Sequence, residues 1–481
     1  MYIKIKLNDL KYRYDVYQMF NIFHTFCEIK FNEYTEYDYL INIDNNTMSI
    51  ETKNIKEVYL INEDGNFKEQ LKKGMFKFLS NELKDEYPWG TLVGIRPSKI
   101  ALSLLEEGYS EEEVIKYFEK TYLAKEEKAR LCIDVAKVES KFVNKDEKSI
   151  SIYVGMPFCP TRCLYCSFAA NPIASCKKDV NNYLEALKKE INNIKDYIHN
   201  NKLTIETVYF GGGTPTSINN EQFEDLMKHI YESFIYEKNI KEFTVECGRP
   251  DSITEEKLKS MKKYKVSRIS INPQTMNDKS LKAIGRGHLT NDVIEKFKLA
   301  RSLDFDNINM DMIIGLPNED LEEVKTTCKL IKKLNPDSLT VHGLSIKRAS
   351  RLYENLVLKK IIKIANQQHL NIMYKKSKEL SEDLNMYPYY MYRQKNMVGN
   401  MENVGYARKD KECIYNIQMI EDKQTIIALG ADAVSKVVYL NEGKNRIERF
   451  GNVKDVKEYV KRIDEMIEGK IKLLDTLYSK K

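Results

Sequence analysis

From about residue 149 the chain alternates short apolar runs with long amphipathic ones, and few folds accept that pattern. The apolar runs 149–154, 204–210, 242–246, 267–271, 307–313 and 338–341 have the length and β-branched content of buried strands. Between them, 180–199, 221–237, 254–263, 292–303 and 319–334 place apolar residues at helical spacing. Strands joined through helices run parallel, with right-handed crossovers. The expected fold class is therefore α/β: a partial (β/α)6 TIM-like barrel over residues 146–350. In such barrels the working groups sit on loops at the C-terminal ends of the strands.

The flanks read differently. Residues 1 to about 65 suggest short strands at 39–43, 47–51 and 58–61, separated by Asp44-Asn45-Asn46 and Asp64-Gly65 turns. Helices follow: Ser110 and Glu113 predict a capping box, and an amphipathic helix is expected over 125–142. Residues 1–145 are thus expected to form an N-terminal α+β accessory domain. Residues 351–481, with helical patterns and a Tyr-rich tract, are expected to form a mostly helical domain covering the substrate. A chain of 481 residues has room for these units.

Charge and cysteine content narrow the function. Lys and Arg (77) nearly balance Asp and Glu (71), so the net charge of +6 gives no reason to expect nucleic acid. A local basic pocket for a polyanion remains compatible with it. No run of about 18 apolar residues predicts a membrane span. Residues 1–7 alternate like a strand and do not read as a secretory signal. Nine cysteines, an odd number, argue against a disulfide framework and for the reducing cytoplasm. Cys27, Cys132 and Cys328 read as buried small hydrophobes.

The other informative cysteines are Cys159, Cys163 and Cys166, which directly follow the first barrel strand in a C-x3-C-x2-C pattern. Fe–S clusters are held by thiolates, usually four. A compact triplet leaves one iron open. An open iron accepts the amino and carboxylate groups of S-adenosylmethionine (SAM), whose sulfonium bond an electron from the cluster can break. A buried helix face would explain the same spacing, but Pro157 and Pro160 oppose a helix. Structural zinc wants four ligands; Cys176 is a possible fourth, without a nearby His or second Cys pair.

Polar features recur at the next strand ends. Gly211-Gly212-Gly213-Thr214-Pro215-Thr216 ends the second strand, where glycines let backbone approach a ligand. Glu246 ends the third and suits ribose hydroxyls. Gln274 follows the fourth, and Asp311 is expected at the end of the fifth. Each alone is more often structural; four at successive strand ends point to one site.

Together these residues resemble the radical SAM superfamily, and more narrowly the oxygen-independent coproporphyrinogen III dehydrogenase family in its HemZ-type subgroup. The similarity covers about residues 150–440. It rests on Tyr153, the Pro-Phe-Cys triplet, the GGGTPT turn, Glu246, Gln274, Gly285-Arg286 and Asp311 with Gly315-Leu316-Pro317. The tract 389–397 and Glu402-Asn403-Val404-Gly405-Tyr406 carry the subgroup. The resemblance implies a [4Fe–4S] cluster on Cys159, Cys163 and Cys166. It implies SAM held by Tyr153, Tyr165, Gly212, Gly213, Thr214, Glu246, Gln274, Arg286 and Asp311, with Ser345 and Val434 as further positions. Tyr153 is also the catalytic position. The implied reaction decarboxylates two propionates of coproporphyrinogen III to vinyl groups, giving protoporphyrinogen IX. A low-potential donor such as flavodoxin or ferredoxin would supply electrons.

The substrate's four carboxylates call for arginine, whose planar fork matches them; Arg348, Arg351 and Arg393 are the candidates. Tyrosines 387, 389, 390 and 392 suit either a flat tetrapyrrole or a packed domain edge. The well-studied dehydrogenases carry His where this chain has Gly155, and a fourth Cys where it has Phe168. Relatives with the Phe include heme chaperones and enzymes that open or methylate heme, so a heme-binding chaperone-like protein or another tetrapyrrole enzyme are the alternatives. The chaperones' His-Asn-x-x-Tyr-Trp tract is replaced here by Tyr415-Asn416-Ile417-Gln418-Met419-Ile420.

Overall fold

The computed structural model describes residues 2–62, 65–166, 168, 170–346, 350–355, 363–440 and 446–479. The first strands, β1 (Tyr2–Leu7), β2 (Glu28–Phe31), β3 (Tyr39–Ile43), β4 (Thr47–Glu51) and β5 (Lys56–Leu60), form one sheet in the order β2-β1-β3-β4-β5. Helix α1 (Arg13–Phe23) links β1 to its parallel neighbour β2, and α2 (Phe67–Leu83) packs on it. The strand-only reading of this stretch missed α1, whose Val16, Met19 and Phe20 bury a helical stripe between polar and tyrosine residues.

The apolar core of this unit runs from Ile3 to Tyr87. The next helices, α3 (Ser98–Glu106), α4 (Glu111–Tyr122) and α5 (Glu126–Glu139), bury their stripes with Trp89 in the core of the large sheet instead. The core therefore divides near residue 88, whereas the sequence pattern carried the N-terminal unit to 145. The capping box at Ser110 and Glu113 forms as expected.

The remaining strands are β6 (Ser149–Met156), β7 (Phe158–Cys159), β8 (Asn171–Pro172), β9 (Thr204–Gly212), β10 (Glu242–Glu246), β11 (Arg268–Ser270), β12 (Ile308–Ile314), β13 (Ser338–Gly343), β14 (Tyr387–Tyr392), β15 (Asn403–Ala407), β16 (Thr425–Leu429), β17 (Val434–Tyr439) and β18 (Arg446–Gly451). All but the small β7–β8 pair join one sheet, ordered β14-β15-β13-β12-β11-β10-β9-β6-β16-β17-β18. From β16 through β6 to β13 the neighbours are parallel. This is the α/β, partial barrel expected from the alternation. Helices α6 (Ile173–Asn200), α7 (Asn220–Phe234), α8 (Glu255–Lys263), α9 (Asp278–Ala283), α10 (Thr290–Ser302) and α11 (Leu321–Leu334) fill the crossovers.

After residue 350 come α12 (Arg351–Tyr353), α13 (Gln367–Asp383), α14 (Ile414–Glu421), α15 (Val456–Lys461) and α16 (Ile463–Tyr478). The expectation of a mostly helical tail is corrected by β14 to β18, which extend the same sheet at both ends. β16 is buried throughout, and its residues 426–429 form a continuous apolar run, which periodicity alone does not distinguish from helix. Helix α16 returns to α6, where the Lys470 ammonium pairs with Glu190 in the interior. Glu190 also accepts from the Gly430 N–H (2.8 Å), Asn452 Nδ2 (2.9 Å) and Tyr459 Oη (2.7 Å). Both oxygens of that carboxylate are thus satisfied. Among the described residues no helix is long and apolar enough to cross a membrane.

Candidate active site at the C-terminal ends of the parallel strands

The three cysteines lie on a loop that leaves the end of β6. It is closed at its base by the β7–β8 pair, where the Asn171 N–H and Nδ2 both donate to Pro157 O at 2.9 and 3.0 Å. On one side stands the glycine turn ending β9. The Gly213 N–H donates to Met156 O (2.6 Å), the Thr214 N–H to Phe158 O (2.8 Å), and Thr214 Oγ1 to Cys159 Sγ (3.3 Å). A Cβ on Gly213 would lie 2.6 Å from Phe158 O and 2.9 Å from Cys159 Sγ, so only glycine fits. Gly212 has φ +103°, open to glycine alone.

On the other side the loop is clasped by residues 284–286. Leu164 N–H donates to Ile284 O (3.0 Å) and Thr161 Oγ1 to Gly285 O (3.0 Å). Arg286 directs Nη2 at Tyr165 Oη (3.3 Å) and Nη1 at Asn272 O (2.6 Å). Burial pushes the Cys159 thiol up to about 11 and raises that of Cys166. Their mutual charges act in the same direction.

Further round the barrel, Gln274 holds φ +66° between β11 and β12. Its N–H donates to Asp311 O and its O accepts from the Ile313 N–H, both at 2.9 Å. Asp311 is not at a strand end as expected. It sits in the middle of β12, because pairing with β13 carries that strand on to Ile314. Asn309 Nδ2 donates to the Asp311 carboxylate (2.6 Å) and His342 Nε2 lies 3.5 Å from it. Burial would raise the Asp311 pKa, but these partners hold it below the usual carboxylate range. The same contact raises the His342 imidazole against the effect of burial. Burial, followed by the charge of Asp311, pushes Glu246 up to about 7.

Tyrosines line the interior below these groups. Tyr153 of β6, Tyr209 of β9 and Tyr415 of α14 stack with centroids 6.2 Å (153–209), 6.2 Å (153–415) and 4.5 Å (209–415) apart. Tyr389 and Tyr390 are buried in β14, the packed-edge alternative, and Tyr387 bonds Glu412. Tyr392 is half-buried, and its hydroxyl is raised first by burial and then by Asp311 and Glu246.

The structure thus brings together Cys159, Cys163, Cys166, Tyr153, Tyr165, Gly212, Gly213, Thr214, Glu246, Gln274, Arg286 and Asp311. Ser345 follows β13 at the same end, where it bridges Met397 and donates to Lys395 O (3.3 Å). Val434 is not drawn in: it begins β17 with 52% of its surface exposed, paired with Gly451. Arg393 is corrected. It is 4% exposed, lies 4.8 Å over the Trp89 ring, and its Nη1 and Nη2 donate to Leu92 O (2.5 Å) and Asn400 O (2.7 Å). Its donors serve carbonyls of the protein and are not presented to a ligand. Arg348 lies outside the described residues. Arg351 opens α12, whose Leu352 N–H donates to Leu164 O (3.3 Å) on the cysteine loop. His342, Asn272 and Arg249 were missed; none belongs to a spaced motif.

The donor set suits a cluster with SAM. Among the described residues no three His, Cys, Asp or Glu side chains converge as a single metal ion requires. A cubane asks for less, since each thiolate binds a different corner iron. Three buried polar atoms in this cradle have no protein partner: Gln274 Oε1, Asn272 Oδ1 and Arg286 Nε. Buried polar atoms are normally paired, so they suit a polar ligand.

Residues 153–331 match the radical SAM superfamily model. The chain is 39% identical, over 100% of its length and 99% of the relative's, to the oxygen-independent coproporphyrinogen-III oxidase-like protein HemZ of Bacillus subtilis. The heme chaperone HemW of the same organism is 34% identical over 47% of this chain and 58% of its own. Coproporphyrinogen III oxidase HemN of Escherichia coli shares the fold, with a TM-score of 0.52 at 21% identity over 68% of this chain and 72% of that one. This chain belongs to the radical SAM superfamily and, within it, to the oxygen-independent coproporphyrinogen III oxidase-like family that includes HemZ.

Proposed function

We propose that the chain is a radical SAM oxidoreductase that converts coproporphyrinogen III to protoporphyrinogen IX without oxygen. The observation behind it is the clasped cysteine loop facing three unpaired buried polar atoms, in a chain alike over its whole length to a coproporphyrinogen-III oxidase-like protein. Cys159, Cys163 and Cys166 would hold a [4Fe–4S] cluster. When bound, the cluster and SAM supply a hydrogen-abstracting 5′-deoxyadenosyl radical.

The chain's own residues would bind and orient. The bare backbone at Gly212 and Gly213, with Thr214 beside it, lets the SAM amino-acid end approach closely. Glu246 accepts from ribose hydroxyls. Gln274 and Arg286 supply the unpaired amide oxygen and guanidinium nitrogen. Tyr153, the catalytic candidate, stands over Gly212 with its ring on the tyrosine stack. That stack and Tyr392 give the pyrrole rings of the substrate an aromatic wall. His342, raised in pKa beside Asp311, Arg348 and Arg351 are the remaining candidates for substrate carboxylates. Each propionate loses a hydrogen atom from its β-carbon, carbon dioxide and one electron, leaving a vinyl group. A low-potential donor such as flavodoxin or ferredoxin would reduce the cluster, and an acceptor takes the substrate's electron.

Anaerobic turnover of reconstituted protein with coproporphyrinogen III tests this, reading 5′-deoxyadenosine and product mass together. One deoxyadenosine per propionate, with loss of two carbon dioxide units and four hydrogens from the tetrapyrrole, is expected. Deoxyadenosine with a different tetrapyrrole mass would mean another radical reaction. A second reading, heme binding and delivery, draws on Phe168. It stands 65% exposed on the cysteine loop where the well-studied dehydrogenases have cysteine. Tight heme binding with transfer to an apoprotein and no turnover would favour that reading.

A further inference from the structure

Arg249 follows β10 in a turn whose Gly248 holds φ +60° and donates its N–H to Ser270 O (3.1 Å). The turn points the arginine back under the cysteine loop, where it is 3% exposed. Two of its nitrogens are taken by one carboxylate: Nε donates to Asp251 Oδ1 (2.9 Å) and Nη2 to Asp251 Oδ2 (2.7 Å). That fork fixes the guanidinium plane. The nitrogen left over, Nη1, faces the loop. It lies 2.9 Å from Thr161 Oγ1 and 3.8 Å from Cys163 Sγ. Gly287 closes the back of the group, since a Cβ there would lie 3.5 Å from Nη2. A buried cation braced on one edge and aimed at a sulfur on the other has little freedom to turn away.

We propose that Arg249 tunes the reduction potential of the cluster on Cys159, Cys163 and Cys166 by presenting its Nη1–H to the Cys163 sulfur. This rests on the cysteine loop holding a [4Fe–4S] cluster. Hydrogen bonds to cluster sulfurs and nearby charge set such potentials. The reduced cluster carries one more negative charge than the oxidised one, so a donor and cation at the sulfur stabilise it and raise the potential. Asp251 acts as the positioning partner: its carboxylate holds the fork and leaves only the Nη1 edge turned to the sulfur. The same nitrogen is also held by Thr161, through its hydroxyl (2.9 Å) and its carbonyl (3.5 Å).

The test is an EPR-monitored redox titration of the anaerobically reconstituted full-length protein, without SAM, using dithionite and mediators. The signal of the reduced cluster is read as a fraction of its fully reduced amplitude, which gives the ratio of reduced to oxidised cluster, so partial loading does not affect it. In Arg249→Gln the ratio at a fixed potential is expected to fall about tenfold, a shift of ~59 mV to more negative potential for one electron. Arg249→Lys is expected to shift less. A wild-type potential in Arg249→Gln overturns the proposal. So does complete absence of cluster in that variant, which would make the arginine a holder of the loop. A wild-type protein without iron or sulfide defeats the cluster reading itself, and that is measured first.

Discussion

Trp89, Lys128, Arg393 and Glu402 meet in the interior between α5 and the turn that leads into β15. Glu402 accepts from Trp89 Nε1 (2.6 Å) and Lys128 Nζ (2.7 Å), while Arg393 covers the indole face. Removing one partner of such a buried pair strands the other charge. Arg393→Ala should cost about 2–4 kcal/mol in chemical denaturation, from orphaned carbonyls and lost packing, while iron bound per chain stays unchanged. A loss of affinity for tetrapyrrole at unchanged stability would return Arg393 to the substrate site. Glu246 gives a pH prediction. Its carboxyl titrates near 7 in the folded chain against 4.5 ordinarily. Between those values the folded state binds the extra proton, so this group's contribution to stability declines as pH rises from about 4.5 through 7. Glu246→Gln should flatten the fall in melting temperature over that window; an unchanged slope would mean burial does not shift the group. The cysteines, the glycine turn and Glu246 were legible because they carry fixed spacing beside strand ends. Arg393 was misread, and His342 and Arg249 missed, because a lone basic residue carries no mark of what it bonds; only packing assigns its donors.

The elements that hold the site are mostly turns between a strand and its following helix. The glycine turn of β9 and the cysteine loop of β6 touch through backbone at Gly213, so their separation is fixed by the absence of one methyl group. Gly213→Ala should displace Phe158 and Cys159 and lower iron bound per chain severalfold after reconstitution, with the far-ultraviolet circular dichroism retained. Full iron content in that variant would show that the two turns move apart freely. At Gly155 the same crowding explains a departure from relatives. A Cβ there would lie 3.2 Å from Leu429 O and 3.3 Å from the Tyr153 ring, and Tyr183 Oη donates to its carbonyl (2.6 Å). The chain beside β6 has closed over the space a larger side chain would need. Alternating patterns made the central strands legible to within a few residues. The strands after residue 350 were not, since β14 is tyrosine-rich, bulged at Pro388–Tyr390 and paired antiparallel to β15.

Across the whole molecule, one buried ion pair fastens the last helix to the first long crossover helix. Lys470 is drawn below its ordinary pKa by burial, against the pull of Glu190. Lys470→Met leaves Glu190 uncompensated and should cost about 3–5 kcal/mol, whereas the double change Glu190→Leu with Lys470→Met should cost clearly less. A double change that costs the sum of the two single changes in calorimetry would mean that the pair is not coupled. The strand order carries a consequence for biosynthesis. β6 gains its partner on one side from β9, soon after it is made, but on the other from β16, whose residues 425–429 leave the ribosome almost three hundred residues later. Until then β6, the strand that leads into the cysteine loop, forms the open margin of a nascent sheet.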